Sequence, residues 1–207
     1  MKDLFERCPE LLAETAPPLT AILSALREVR PCELELAASL RPDPGRPYGR
    51  RVFLGTAAVE GMLATWTPGA SCAPHDHGGS SGGVRVLRGV AIHRIYRVID
   101  GALTLIAQER AAAGEVLAFG AGLIHSMGDG GGEASLVTLH LYAGPIPHMV
   151  VYDLERGETL KVDGGCGAWV PDDPAQILGR WPGFVSPCTI LASGAASAVG
   201  LGLDGES

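Results

Sequence analysis

The sequence predicts an all-β protein, a barrel that follows a small N-terminal helical region. Short runs of β-favouring residues recur after residue 58, separated by glycine and proline clusters, which is typical of a barrel or sandwich of about seven or eight strands. Many of the 29 glycines lie between these runs, where tight turns need a positive φ angle. The predicted strands cover residues 59–66, 84–87, 90–97, 102–108, 115–119, 135–142 and 149–152.

The N-terminal part of the chain shows helical rather than strand spacing. Over residues 2–40, apolar residues recur three or four positions apart, and Pro17 and Pro18 divide this region into two helical pieces. A stretch rich in proline, glycine and arginine, residues 41–51, then separates it from the strands. We therefore expect one structural domain, with a helical region over residues 1–45 and a barrel with a C-terminal extension over residues 46–207. The tail from Gly164 onwards indicates no chemistry.

Composition excludes several classes of function. The chain has 23 acidic and 16 basic residues and no basic stripe, which argues against nucleic acid as a partner. No apolar run approaches the roughly 20 residues that span a bilayer, and the N-terminus lacks a signal-peptide pattern, so we expect no membrane partner and a cytoplasmic location. The five cysteines lie far apart, which predicts reduced thiols rather than a disulfide framework or a zinc ribbon.

Two histidines form half of a metal site. His75 and His77 lie two positions apart, so on an extended strand both side chains point to the same face and can converge on one ion. Their surroundings resemble the first motif of the cupin superfamily, except that Gly82 stands at the position of its glutamate ligand. A second cupin motif follows at full spacing, with two departures from the family pattern, Gly120 for proline and Asp129 for asparagine. Its positions here are Gly114, Gly120, Gly122, His125 and Asp129.

The cupin resemblance implies a jelly-roll-like β-barrel with a metal held by His75, His77 and His125. Three neutral imidazoles leave several positions open on a six-coordinate ion, which suits a metal that binds substrate and O2 together. The same ligands would also hold zinc with a water in the fourth position. Ligand number therefore leaves the choice of metal open.

The stretch from His75 to Ser80 resembles the bacterial cysteine dioxygenases in particular, and further residues resemble the cysteine dioxygenases as a whole, which are the thiol dioxygenase branch of the cupins. These further residues are Thr138-Leu139-His140-Leu141-Tyr142, Pro145, Val151-Tyr152-Asp153 and, upstream, Tyr48-Gly49-Arg50, so that the resemblance covers roughly residues 45–155. It implies Fe(II) as the cofactor and oxidation of L-cysteine to cysteine sulfinate with O2.

Each matching position takes a role from this resemblance. Tyr142, His140 and Thr138 would form a catalytic relay in which His140 orients Tyr142. Arg50 would bind the substrate carboxylate through its planar fork of donors, with Tyr48 and Met149 beside it. Met149 replaces a family cysteine near the substrate. Gly82 excludes the thioether crosslink to tyrosine that animal members form.

Three other functions stay open from the sequence alone. The first is the same reaction on another small thiol carboxylate, such as 3-mercaptopropionate or mercaptosuccinate. The second is a metal-dependent cupin hydrolase or isomerase with zinc or manganese, which would act without O2. A ligand-sensing cupin is the least favoured, because the N-terminal helices carry little of the basic charge that DNA binding needs.

Overall fold

The computed structural model describes residues 8–12, 14–28, 30 and 41–190. A 3-10 turn, Pro9–Leu12, precedes one α-helix, α1 (Leu19–Glu28), so the two predicted helical pieces lie on either side of the proline pair. Pro18 directly precedes the helix, and its carbonyl accepts from the N–H groups of Ala21 and Ile22 in the first turn. The rest of the predicted helical region lies outside the described residues. Within them, no helix has the length and apolarity that a membrane span requires.

Eleven strands form the described part of the barrel, and every pairing is antiparallel. One sheet has the order β1-β2-β8-β3-β6, and two three-stranded sheets have the orders β5-β4-β7 and β11-β10-β9. The strands are β1 (Tyr48–Gly55), β2 (Val59–Trp66), β3 (Ser81–Arg88), β4 (Val90–Ile99), β5 (Ala102–Ala112), β6 (Val116–Phe119), β7 (Ile124–Asp129), β8 (Val137–Ala143), β9 (His148–Asp153), β10 (Glu158–Asp163) and β11 (Ile177–Pro182).

The segment 70–77 joins the two smaller sheets. It forms isolated bridges from Ser71 to Gly128 and from His75 to His125 on one side, and from His75 to Val151 on the other. Two backbone hydrogen bonds, from Asp76 N to the carbonyl of Val150 at 3.0 Å and from Tyr152 N to the carbonyl of Pro74 at 2.9 Å, add to this join. The segment therefore lies between β7 and β9 and makes one layer of the two sheets, facing the five-stranded sheet.

Strand alternation decides which side chains face the barrel interior. On β8, Leu139 and Leu141 point outward into a cluster with Ile22 and Leu26 of α1, while the residues between them point inward. On β2, Met62 and Trp66 belong to the interior cluster. The helix thus covers the outside of the sheet whose inner face lines the site.

The all-β prediction is confirmed, and each of the seven predicted runs overlaps a strand. Four strands were missed: β1, β7, β10 and β11. The prediction that residues 41–51 only separate two regions was wrong for residues 48–51, which begin β1 and pair with β2. β7 lacks a period-2 pattern because both of its faces are buried, with His125 and Met127 on one face and Ser126 and Gly128 on the other, so polar and apolar residues do not alternate.

Candidate metal centre

Three buried histidines converge inside the barrel. His75, His77 and His125 each offer a ring nitrogen within 4.8 Å of the others, and they are 6%, 3% and 2% exposed. His75 and His125 lie opposite each other, joined by two backbone N–H to carbonyl bonds of 2.9 Å. The expectation that the His-Asp-His pair lies on a regular strand was wrong, because segment 70–77 makes only isolated bridges. The two bridges of His75, to His125 and to Val151, still fix the direction of its side chain.

The turn after His77 explains Gly78 and the aspartate between the histidines. Gly78 has φ 59°, and a Cβ there would lie 2.1 Å from the carbonyl oxygen of His148. The buried Asp76 carboxylate accepts from the N–H of Val150 at 2.7 Å and of Gly78 at 3.1 Å. Burial raises the pKa of Asp76, and these two hydrogen bonds oppose that shift. Asp76 therefore fastens the segment to β9, and its Oδ1 accepts from the backbone at both bonds.

Hydrogen bonds orient two of the three rings. His75 Nδ1 lies 2.9 Å from the carbonyl oxygen of Ala73, to which only an N–H can donate, so Nε2 of His75 carries the free lone pair. His125 Nδ1 lies 2.8 Å from Nε2 of His93. On the opposite side of its ring, His125 Nε2 lies 3.4 Å from Nε2 of His77. Two ring nitrogens facing each other at this distance fit a shared cation between them.

The electrostatics keep these imidazoles neutral. Burial lowers the pKa of His75 to about 4. Burial first, and then the neighbouring histidines, hold the pKa values of His77 and His125 well below the ordinary range. Metals bind the neutral imidazole, so the site is ready for a metal at neutral pH without releasing protons from these rings. Three convergent nitrogen donors fit a divalent transition metal.

A carboxylate from position 82 has no room to join them. Gly82 pairs with Phe119 on β6 and with Tyr142 on β8. A Cβ at Gly82 would lie 2.5 Å from the carbonyl oxygen of Leu141 and 2.9 Å from the Phe119 ring. Phe119 itself stacks on His77, with ring centroids 4.4 Å apart. The aromatic ring therefore closes the side of the centre where other cupins place a glutamate.

A hydrogen-bonded row runs along the inner face of β8. The indole N–H of Trp66 donates to Thr138 Oγ1 at 2.9 Å. Thr138 Oγ1 lies 2.8 Å from His140 Nε2, and His140 Nδ1 lies 3.1 Å from Tyr142 Oη. Burial lowers the pKa of His140 to about 3 and raises that of Tyr142 well above its usual value. The row is thus a neutral imidazole between two hydroxyls, ending at a phenol whose ring centroid is 5.2 Å from that of His77.

The predicted substrate residues line one cavity with two of the histidines. Tyr48, Arg50 and Met149 surround this cavity together with His75 and His77. The guanidinium of Arg50 donates to the carbonyl oxygen of Gly165. Tyr48 Oη accepts from the N–H of Ala168 at 2.9 Å, and burial raises the pKa of this phenol. The structure therefore brings Arg50 and Tyr48 to the metal centre, while their roles in binding stay predictions.

Several residues of the site were not predicted. Glu60, half-buried, lines the same cavity, and burial raises its pKa while the charge of Arg50 lowers it. Its place could have been found from the alternation of β2, which puts residues 60, 62, 64 and 66 on one face. Cys72 lines an adjoining cavity with all three histidines. It also lines a larger groove of about 1020 Å³ on the outer surface, away from the histidines.

The tail contributes to the site as well, so the expectation that it holds no chemistry was wrong for its first part. Gly164 and Ala168 line the cavity beside Arg50. A Cβ at Gly164 would lie 1.8 Å from the carbonyl oxygen of Ile146, so only glycine lets the tail approach this closely. The signal in the sequence was the cluster of glycines around Cys166.

The fold and the centre define a class of protein: an antiparallel β-barrel of the cupin type with a three-histidine metal-binding site in its interior. The model of one family, cysteine dioxygenase type I, matches residues 20–155. The chain belongs to this family and is a metal-dependent enzyme of the dioxygenase type. No curated protein matches the chain.

Solved structures show more distant similarity. A conserved protein with a double-stranded β-helix domain from Klebsiella pneumoniae is 20% identical, covers 58% of this chain and 96% of its own, and has a TM-score of 0.44. KdgF from Halomonas sp. is 18% identical, with 49% and 84% covered and a TM-score of 0.40. An oxalate oxidase is 20% identical, with 64% and 66% covered and a TM-score of 0.47. Likeness at this level assigns no reaction to the chain.

Proposed function

We propose that the protein is a thiol dioxygenase that converts L-cysteine and O2 to cysteine sulfinate at a mononuclear Fe(II) centre. His75, His77 and His125 would hold the ion. Bound Fe(II) would supply the redox chemistry that joins a thiolate to O2. Sulfur loses four electrons, O2 gains four, both oxygen atoms end on sulfur, and the thiol proton is released, so the reaction needs no other reductant.

The observation that carries the proposal is the position of Arg50. Its guanidinium lies on the cavity that His75 and His77 also line. One of its five N–H donors goes to Gly165, which leaves a fork for a carboxylate. A small thiol whose carboxylate meets Arg50 is thereby directed with its sulfur towards the histidines.

The charges of the cavity favour an amino acid over a simple thiol acid. Glu60 lines the cavity beside Arg50, and the two groups attract each other. A zwitterion offers a carboxylate to Arg50 and an ammonium group to Glu60, whereas 3-mercaptopropionate offers only the carboxylate. This pairing supports L-cysteine as the substrate.

Tyr142 would act on the oxygen side of the reaction. Its hydroxyl ends the row from Thr138 through His140, and the raised pKa keeps it a phenol, which can donate a hydrogen bond. His140 positions that hydroxyl from behind. Tyr142 is proposed to hold the reacting oxygen atoms and His140 to orient Tyr142, and neither is proposed to bind the metal.

The experiment is O2 uptake by anaerobically Fe(II)-loaded protein after addition of L-cysteine, with the product identified by mass. We expect one O2 per thiol and sulfinate as the product. O2 uptake with 3-mercaptopropionate or mercaptosuccinate but not with cysteine would mean that the enzyme catalyses the same reaction on a different thiol. The proposal fails if no thiol stimulates uptake, and O2-independent turnover with zinc or manganese would then identify a hydrolase or isomerase.

A further inference from the structure

A further buried histidine, His93 on β4, contacts the metal ligand His125 from outside the three-histidine cluster. It is 1% exposed. Its Nε2 lies 2.8 Å from Nδ1 of His125, and its Nδ1 lies 2.9 Å from Oε1 of Glu109 on β5. The Glu109 side chain is 55% exposed. A continuous row of side chains therefore leads from a metal ligand through β4 to a carboxylate at the surface.

Strand register builds this row. In β4 and β5, His93 and Glu109 are directly paired, and in β4 and β7, Ile95 pairs with His125. His93 is two positions from Ile95 and shares its face, so its ring meets that of His125 diagonally across the strands. The two ring planes are nearly perpendicular, at 83°. That angle lets the nitrogen of one ring point at the nitrogen of the other.

The hydrogen bonds permit one direction of donation when both rings are neutral. The Glu109 carboxylate only accepts, so Nδ1 of His93 carries the proton. Nε2 of His93 then has a free lone pair and accepts from Nδ1–H of His125. His125 is left with its Nε2 lone pair directed at His75 and His77, which is the tautomer that binds a metal.

We propose that His93 is a positioning residue for the metal ligand His125, and that Glu109 selects the tautomer of His93. The inference rests on the three-histidine centre and is independent of which thiol the enzyme oxidises. His75 is oriented by a backbone carbonyl, which no substitution removes, whereas the orientation of His125 depends on a side chain. His93 is therefore the residue through which the affinity of the centre for its metal can be changed without touching a ligand.

The test is Co(II) binding, with the dissociation constant from chelator competition and the d–d absorption spectrum as a second readout. His93→Phe keeps the ring volume and removes both hydrogen bonds, so we expect affinity to fall about 10- to 100-fold. His93→Gln places an amide oxygen near the position of Nε2 and should recover most of that loss. Glu109→Ala should weaken binding by a few fold, because His93 is then free to adopt either tautomer.

The matched control is Arg94→Gln. Arg94 follows His93 on β4, and its side chain therefore lies on the other face of the strand. Its Nε donates to Oε1 of Gln108, the residue before Glu109 on β5, at 2.8 Å. This variant should bind Co(II) with the parental constant and spectrum. The proposal is overturned if folded His93→Phe binds like the parent, or if the Phe and Gln variants lose affinity equally, which would indicate packing alone. If both His93 variants unfold, Glu109→Ala, at an exposed position, provides the test. An unchanged Co(II) dissociation constant in Glu109→Ala would overturn the proposal.

Discussion

The rings of Phe119 and His77 lie nearly parallel, at 19°, with centroids 4.4 Å apart. Phe119 also fills the space in front of Gly82, so the same ring supports one ligand and excludes a fourth. The absence of a carboxylate at position 82 is thus a matter of packing as well as of residue type.

Gly82→Ala should destabilise the fold. Its Cβ would lie 2.5 Å from a backbone carbonyl and 2.9 Å from the Phe119 ring, an overpacking that typically lowers the free energy of unfolding by about 1–3 kcal/mol. Denaturant unfolding measures the change. The matched control is Gly120→Ala, because a Cβ at Gly120 meets no atom within 4 Å. Equal stability of the two variants would contradict the packing argument.

His125→Ala should abolish metal binding and turnover together. The substitution leaves two ligand nitrogens and removes the ring that links the centre to His93. Metal content after Fe(II) loading and desalting, with O2 uptake on the same sample, tests this. His148→Ala changes a less buried histidine outside the three-histidine cluster and should retain both properties. Full activity of His125→Ala without iron would refute the assignment of the centre.

Arg50→Gln should mainly raise KM for L-cysteine. A charge-assisted bidentate contact contributes about 1.5–3 kcal/mol, so kcat/KM should fall roughly 10- to 100-fold. Arg51→Gln is the control, since residue 51 alternates to the other face of β1 and is exposed. Oxidation of cysteamine, which lacks a carboxylate, should be affected far less. An unchanged KM for cysteine would remove Arg50 from the substrate site.

Glu60→Gln should narrow the preference for cysteine over 3-mercaptopropionate. The substitution removes the negative charge that faces an ammonium group and leaves Arg50 to bind a carboxylate. We expect the ratio of kcat/KM values for the two thiols to fall about tenfold, the equivalent of 1.4 kcal/mol. Each substrate serves as the control for the other within one preparation. The same ratio of kcat/KM values in parent and variant would mean that Glu60 does not bind the substrate amine.

Acid should destabilise the metal-free protein partly through His140. Burial lowers its pKa in the folded state to about 3, against about 6.5 in an unfolded chain. The unfolded state therefore binds more protons below pH 6.5, and stability present above that pH is lost as pH falls towards 3. In His140→Gln, the slope of the unfolding free energy against pH should be shallower between pH 6 and 4, by the equivalent of up to one bound proton. Parental and variant slopes that coincide would contradict this assignment.

Local spacing could predict the parts of the site that lie on one strand or in one motif. Thr138, His140 and Tyr142 share a face because strand alternation has a period of two. His93 could not be assigned in this way. Its meeting with His125 depends on the registers of β4, β5 and β7, and Glu109 is 16 residues further along the chain, across the turn at Asp100 and Gly101.

The tail was missed for a related reason. The tail joins the cavity through contacts of Gly165 with Arg50, of Ala168 with Tyr48 and of Gly164 with the carbonyl of Ile146, partners that are distant in the sequence. Glycine clusters indicate close approach but do not name the partner. The strands β10 and β11 precede and follow this part of the tail. β10 was missed although residues 159–163 alternate between polar and apolar, whereas β11 contains a glycine and a proline and shows no such alternation.

The hydrogen bonds between Arg50 and Gly165 and between Ala168 and Tyr48 also bear on the order in which parts of the site can form during synthesis. Arg50 and Tyr48 lie on the first strand. The part of the cavity wall that they contact lies more than a hundred residues later in the sequence. While the chain leaves the ribosome, the segment that carries His75 and His77 can pair with β7, which carries His125, before that wall exists. A nascent chain could therefore capture its metal early, and would have an enclosed substrate cavity only after residue 168 has emerged.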